Sequence, residues 1–286
     1  MRLSTLSRPF ICTSVVDKGL EPTIRTMKTA EYQGATAFEI HLPLLGFPDA
    51  SALKRLQDAT SAPIYATCRR DSFYELLGID DVVSLSESER TDRLVGAVEA
   101  GLAGIDMELD TFDRHPGPDS FSEDAIEAYA TNPATEPAEI TDDSDAVDAQ
   151  RSVVERVHNA GGEVIFSAHT YTHLTPTEAV AIAERMTDRS ADLCKLVGVD
   201  RTLEEGLETL EAHLRLNEAD CAPYALMAIG DASRIIRPMA PMFGSAWVFA
   251  QPELVPGGFY SWPLVENARE ILRRVDWRTV HTPHEG

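Results

Sequence analysis

Residues 163–197 read EVIFSAHTYTHLTPTEAVAIAERMTDRSADLCKLV. Two short apolar runs, EVIFSAH and ADLCKLV, flank a segment with helical patterning, which is the pattern of a β-α-β unit. Strands joined by such a crossover run parallel. His169 and Lys195, the polar groups on the two runs, therefore sit at the C-terminal ends of neighbouring strands. In a (β/α)8 barrel that end carries the active site. Lys195 is one of only four lysines, with Lys18, Lys28 and Lys54. Burial disfavours a charged lysine and favours the neutral amine, a nucleophile toward carbonyls. The plainer alternative is that Lys195 snorkels to solvent or pairs with an acid, and that His169 is a satisfied core residue.

The same rhythm extends in both directions. Strand-like runs are expected at 9–16, 36–43, 62–70, 103–110, 163–169, 191–197, 222–230 and 244–250. Helical patterns fall between them, at about 21–33, 49–60, 87–100 and 146–161, from about 176 after strand five, at 202–216, then after 230 and at 263–274. Gly34 suits the end of the first helix, and Thr175-Pro176 suits the start of the one after strand five. Eight strands alternating with eight helices imply a single-domain (β/α)8 TIM barrel spanning residues 1–286. The rhythm breaks once, at 111–145, a stretch rich in Asp, Glu, Pro and Ser. It is expected to be a solvated acidic insertion on the fourth βα loop, with a short helix near 122–129 and a lid as its alternative role.

Composition narrows the function classes. The chain has 47 acidic and 25 basic residues, a formal net charge of -22. That balance repels phosphate and argues against a nucleic-acid partner. Abundant acids with scarce lysine suit a protein adapted to high salt, where screening removes self-repulsion. Cys12, Cys68, Cys194 and Cys221 show no CxxC or zinc-finger spacing and fit reduced core thiols. With no apolar leader and no 18-residue apolar run, a cytoplasmic protein with no membrane partner is expected.

The strand ends hold a short list of candidates. Glu39 and His41 share one face of strand two, and Asp106 and Glu108 share one face of strand four. Strand three offers Arg69 and Arg70, and the loop after strand seven offers Arg234, a carboxylate-binding type. Charges inside a barrel are costly unless paired, so Glu39, Glu108, Arg69 and Lys195 also fit an internal ion network. His169 and His173 lie four residues apart, but a metal site lacks an obvious third ligand.

These residues carry a resemblance. GIDMEL (104–109), VIFSAHTYTHLTP (164–176), ADLCKLVGV (191–199), ASRIIRPMAPMFGSAWVFA (232–250) and the weaker VPGG (255–258) resemble type I 3-dehydroquinate dehydratases, Schiff-base lyases on a TIM barrel. The resemblance implies that Lys195 forms an iminium with a keto acid and that His169 moves the α-proton. It implies that Arg234 holds the substrate carboxylate and that Glu39, Arg69, His41, Glu108 and Gly258 belong to the substrate shell. It implies no metal and no cofactor, a small keto-acid substrate and a homodimer.

The chain also departs from the family pattern. His41 stands where the family usually has arginine, and Phe73 aligns where many members have glutamate. Leu254 and Gly258 replace a serine and a glutamine that touch substrate. Hydroxyl recognition weakens when such partners go. A paralogous lyase or aldolase acting on another hydroxy-keto acid is therefore the alternative, with a non-catalytic acid-binding barrel as the third reading.

Overall fold

A computed structural model describes residues 1–115, 137–254 and 261–275. The segment 163–197 folds as its patterning predicts: β5 (Glu163–His169), α6 (Pro176–Asp188) and β6 (Leu193–Val199). Helix α6 starts in a capping box, in which the Thr175 side chain accepts from the Glu178 amide and the Glu178 carboxylate accepts from the Thr175 amide. Two of the otherwise unpaired amides of the first turn are satisfied this way.

The other strands are β1 (Phe10–Val15), β2 (Ala37–His41), β3 (Ile64–Thr67), β4 (Gly104–Glu108), β7 (Tyr224–Ile229) and β8 (Trp247–Phe249). They form one sheet in the order β7-β6-β5-β4-β3-β2-β1-β8, every pair parallel. The Ala246 amide donates to the Tyr224 carbonyl at 2.6 Å, which joins β7 to the chain entering β8. The result is a nearly closed barrel.

The helices are α1 (Leu20–Gln33), α2 (Ala50–Asp58), α3 (Asp71–Leu76), α4 (Glu87–Glu99), α5 (Ser144–Asn159), α7 (Leu203–Glu218), α8 (Ser233–Met239) and α9 (Val265–Arg274). Gly34 ends α1 at φ +122°, where its amide bonds the Ala30 carbonyl. The short α3 was not legible from patterning, being under two turns. The helix expected near 122–129 lies outside the described residues.

Strand periodicity sorts the side chains into two layers. One face of each strand packs against the helices, through residues such as Phe38, Ile40, Ile105, Met107, Phe166 and Leu196. The other face fills the barrel. Phe10, Cys12, Tyr65, Ile165, Leu193 and Trp247 form its apolar floor. Below that floor, Glu163 accepts from the amides of Leu3 (2.6 Å) and Ser4 (3.2 Å), tying the N-terminal segment across the bottom. Above it, the inward positions turn polar: Ser14, Glu39, His41, Asp106, Glu108, Ser167, His169 and Lys195. Because the strands are parallel, these residues of β1, β2, β4, β5 and β6 gather toward one end of the barrel.

The stretch expected as a solvated insertion differs at its edges. Leu109, Thr111, Glu139 and Thr141 are buried. Gln150 of α5 donates to the carbonyls of Leu109 (3.0 Å) and Thr111 (2.8 Å). Arg189 donates to the Leu109 carbonyl (2.8 Å) and to that of Thr141. Two buried polar side chains thus satisfy loop carbonyls that would otherwise be orphaned.

Candidate active site

A cavity of about 310 Å³ opens at the C-terminal end of the barrel, within the range of small-molecule sites. Lys195, His169, Glu39, Arg69 and His41 all line it. In the parallel register Lys195 lies opposite Ser167 and His169 opposite Val197. His169 therefore sits two residues, about 7 Å of strand, farther toward the mouth than Lys195, on the same inward face.

Lys195 donates to Asp106 at 3.0 Å and to Glu39 at 3.4 Å, and its Nζ lies 5.1 Å from the Phe249 ring centre. Asp106 also accepts from Arg69 (2.6 Å) and from the Ser167 hydroxyl (2.6 Å). Arg69 reaches Glu108 at 3.1 Å, and Glu108 accepts from Arg90 at 2.5 Å. The expected internal network thus exists: three cations, Lys195, Arg69 and Arg90, answer three carboxylates. Lys195 pairs with acids and does not snorkel. Mutual pairing is what makes such charges tolerable inside a barrel.

The network sets the ionisation of its neighbours. Burial pushes the Glu39 carboxyl up, but Lys195, His41 and Arg69 together bring it down to about 2. Burial opposes ionisation of Glu108 as well, yet Arg90, Arg69 and Arg70 hold it well below the usual carboxylate range. Burial, with Arg69 and Lys195 adding to it, holds His169 well below the ordinary imidazole value, so its ring is neutral and able to accept a proton. Burial also lowers His41 to about 4, against the pull of Glu39. Neutral His41 is hydrogen-bonded to Ser14 (3.0 Å) and Tyr74 (3.3 Å), and stacks on Phe73 with ring centres 5.3 Å apart.

Not every expected residue lines the cavity. Glu108 is buried behind it, held by the two arginines. Arg234 is exposed and is not among the lining residues; Arg237, one helical turn on, is buried and lines it. Arg237 Nε donates to the Ala228 carbonyl at 2.8 Å. In the seven-residue α8, Ile236 faces the core, and positions 233 and 237 flank it on the inner side while 234 does not. His173 does not join His169 but bridges Asp200 (3.1 Å) and Glu208 (3.0 Å). Among the described residues no three His, Cys, Asp or Glu side chains are grouped to hold a metal ion. Leu254 is exposed, and Gly258 lies outside the described residues.

Sequence reading also missed a residue of the acid-rich stretch. Glu139, buried, accepts at a single oxygen, Oε2, from the His169 amide (2.5 Å) and from His169 Nδ1 (2.7 Å). Burial, reinforced by Glu108, raises its carboxyl to about 8. Nothing in the acid-rich stretch around it singles out this residue.

Comparison with known proteins identifies the family and the fold. The model of the family described as type I 3-dehydroquinase matches residues 11–273. The chain is 24% identical over 245 residues to a 3-dehydroquinate dehydratase of Methanosarcina acetivorans, covering 84% of this chain and 85% of that one. It is 29% identical over 103 residues to one of Neisseria meningitidis, covering 35% of this chain and 40% of that one. The fold superposes on the crystal structure of 3-dehydroquinate dehydratase from Geobacillus kaustophilus with a TM-score of 0.73 at 16% identity, covering 99% and 97% of the two chains. A type I 3-dehydroquinate dehydratase from Clostridium difficile, solved with covalently modified comenic acid, superposes at 0.68 and 19% identity, covering 94% and 92%.

Proposed function

Because the chain belongs to the type I 3-dehydroquinase family, we propose that it dehydrates 3-dehydroquinate to 3-dehydroshikimate through a lysine iminium, a step of the shikimate pathway. The observation that carries this reading is that Lys195 and His169 face one cavity from neighbouring strands, an amine beside a neutral imidazole.

The chemistry follows from those groups. Asp106 and Glu39 hold the Lys195 side chain and are the nearest acceptors for its proton. The amine adds to the substrate ketone, and loss of water from the adduct leaves an iminium. The iminium draws electrons from the adjacent carbon, so His169 can remove the α-proton. The enamine then expels the β-hydroxyl, which takes a proton from His169 and leaves as water. A second water hydrolyses the iminium, freeing product and restoring the lysine. Arg237 is the best-situated guanidinium for the substrate carboxylate, with Glu39, Arg69 and His41 toward its hydroxyls.

The test is borohydride trapping with 3-dehydroquinate at molar salt, read by peptide mass spectrometry. A reduced adduct on Lys195, absent in Lys195→Ala, supports the reading. Its absence in a folded protein sinks it.

A second reading, a Schiff-base lyase or aldolase for another hydroxy-keto acid, is favoured by one observation. The wall beside Glu39 is a neutral His41 stacked on Phe73, a surface that offers a polyhydroxylated ring few charged partners. Adducts with other keto acids, exceeding those with 3-dehydroquinate, identify that case. We also infer a cytoplasmic homodimer. The four thiols form no disulfide. Exposed Leu203, Leu207 and Leu214 follow one face of α7, an apolar patch suited to a second copy. Leu207→Glu should then halve the mass in solution.

A further inference from the structure

Oε2 of Glu139 meets two donors of one residue, the His169 amide and His169 Nδ1. An amide N–H can only donate, so Oε2 is an acceptor. A carbonyl oxygen accepts better than a carboxyl hydroxyl, so the oxygen that already takes the amide N–H is the one left unprotonated whether or not the carboxyl is ionised. A proton on Oε2 would instead be donated to Nδ1 and leave the hydrogen on Nε2. With Oε2 accepting, the Nδ1 contact is a bond only if Nδ1 bears the hydrogen. The neutral ring then has its lone pair on Nε2.

We propose that Glu139 is the positioning residue of the catalytic histidine: it fixes the Nδ1–H tautomer of His169 and thereby makes Nε2 the atom that accepts the substrate proton. The inference deepens the proposed dehydratase reading and rests on it.

Three further observations support the assignment. Glu108, the strand-four acid expected near this centre, is held by Arg69 and Arg90, so its carboxylate is engaged elsewhere. Glu139 is anchored on its C-terminal side, where buried Arg189 donates to the Thr141 carbonyl and lies 3.5 Å from Asp142. Glu139 also adopts φ +56°, a left-handed backbone that costs a residue with a Cβ of order 1 kcal/mol. Such conformations persist where the surroundings impose them, and here they aim a carboxylate into the barrel mouth. The charged groups around Glu139 are Glu108 of β4, Asp110 just beyond it, and Arg69 and Arg70 after β3. Imidazolium formed on proton abstraction keeps the Glu139 Oε2 acceptor at 2.7 Å from Nδ1.

The test uses the full chain at molar salt, with Glu139→Ala and Glu139→Gln. Glutamine keeps an acceptor oxygen without the charge. The expected result for Glu139→Ala is a fall in kcat of about 100-fold, with KM within threefold and borohydride adduct still formed on Lys195. Glu139→Gln should lose less. Nitrogen-15 spectra of the histidine rings, assigned with His169→Gln, should show Nδ1–H for His169 in the unmodified protein and loss of that preference in Glu139→Ala. If kcat in both variants stays within threefold of the parent, or His169 is found as Nε2–H in the parent, the proposal is overturned. A parent that does not turn over 3-dehydroquinate contradicts the substrate reading instead, and the tautomer measurement then decides the proposal by itself.

Discussion

Arg69 holds the Asp106 carboxylate at 2.6 Å, and the oxygen it binds, Oδ2, also accepts from Lys195 Nζ at 3.0 Å. One buried oxygen therefore joins the candidate nucleophile to the guanidinium network on the far side of the barrel mouth. Removing it takes the nearest carboxylate from two buried cations, leaving Lys195 with Glu39 at 3.4 Å and Arg69 with Glu108 at 3.1 Å. Asp106→Ala is expected to lower unfolding free energy by about 3–5 kcal/mol, the usual penalty for breaking a buried pair, and to abolish turnover. Urea unfolding of the variant checks this. A loss below 1 kcal/mol would mean the cations find other partners.

Arg237, and not Arg234, should govern substrate affinity. A charge-assisted hydrogen bond contributes about 1.5–3 kcal/mol, so Arg237→Ala should weaken kcat/KM by at least tenfold, chiefly through KM. Arg234→Ala should change it less than twofold. Steady-state kinetics on both variants would return the opposite order if the mouth rearranges around substrate.

His41 makes a pH prediction with a definite sign. Burial lowers it to about 4, against about 6.5 for a free imidazole. A group whose folded value is depressed adds stability above its unfolded value, and that stability is lost as pH falls toward the folded one. His41 should thus cost roughly 3 kcal/mol between about pH 6.5 and pH 4. In His41→Asn this part of the acid limb should flatten when unfolding is followed across that window. An unchanged slope would show that His41 does not carry it.

Asp110 acts in the opposite direction. Burial, followed by Glu139, raises it to about 7 despite Arg70. A raised acid contributes stability fully present below its unfolded value of about 3.9 and lost as pH rises through the folded one. Unfolding free energy of the parent relative to Asp110→Asn should therefore decline from about pH 4 to pH 7. A difference independent of pH would contradict the assignment.

At the floor of the barrel, Glu163 should separate stability from activity. Glu163→Ala leaves the Leu3 and Ser4 amides without their acceptor, a loss of about 1–3 kcal/mol, far from the cavity. Melting temperature should fall while kcat holds, and a parallel loss of kcat would link the floor to the mouth.

Much of the site was legible because strands display alternate residues on one face. Once His169 and Lys195 were read as ends of parallel strands, Glu39, His41, Asp106 and Glu108 followed by spacing of two. Arg237 escaped because its helix is only seven residues long, too short for the apolar pattern to declare an inner face. Tyr74 escaped for the same reason in α3, and Phe73 was read only as standing in place of a family glutamate, not as the ring that stacks on His41. Glu139 left no pattern at all, since a loop has no period and acids surround it.

The order of chemistry-bearing residues along the chain, the parallel alternation of strands and helices, and the net charge of -22 are properties of the sequence itself, because each depends on local spacing or on a sum. Which carboxylate meets which cation is not local. Asp106 and Lys195 are 89 residues apart, and Glu139 and His169 are 30 apart. Only closure of the barrel brings them within hydrogen-bond reach, and only burial there makes their pairing decide which groups are charged.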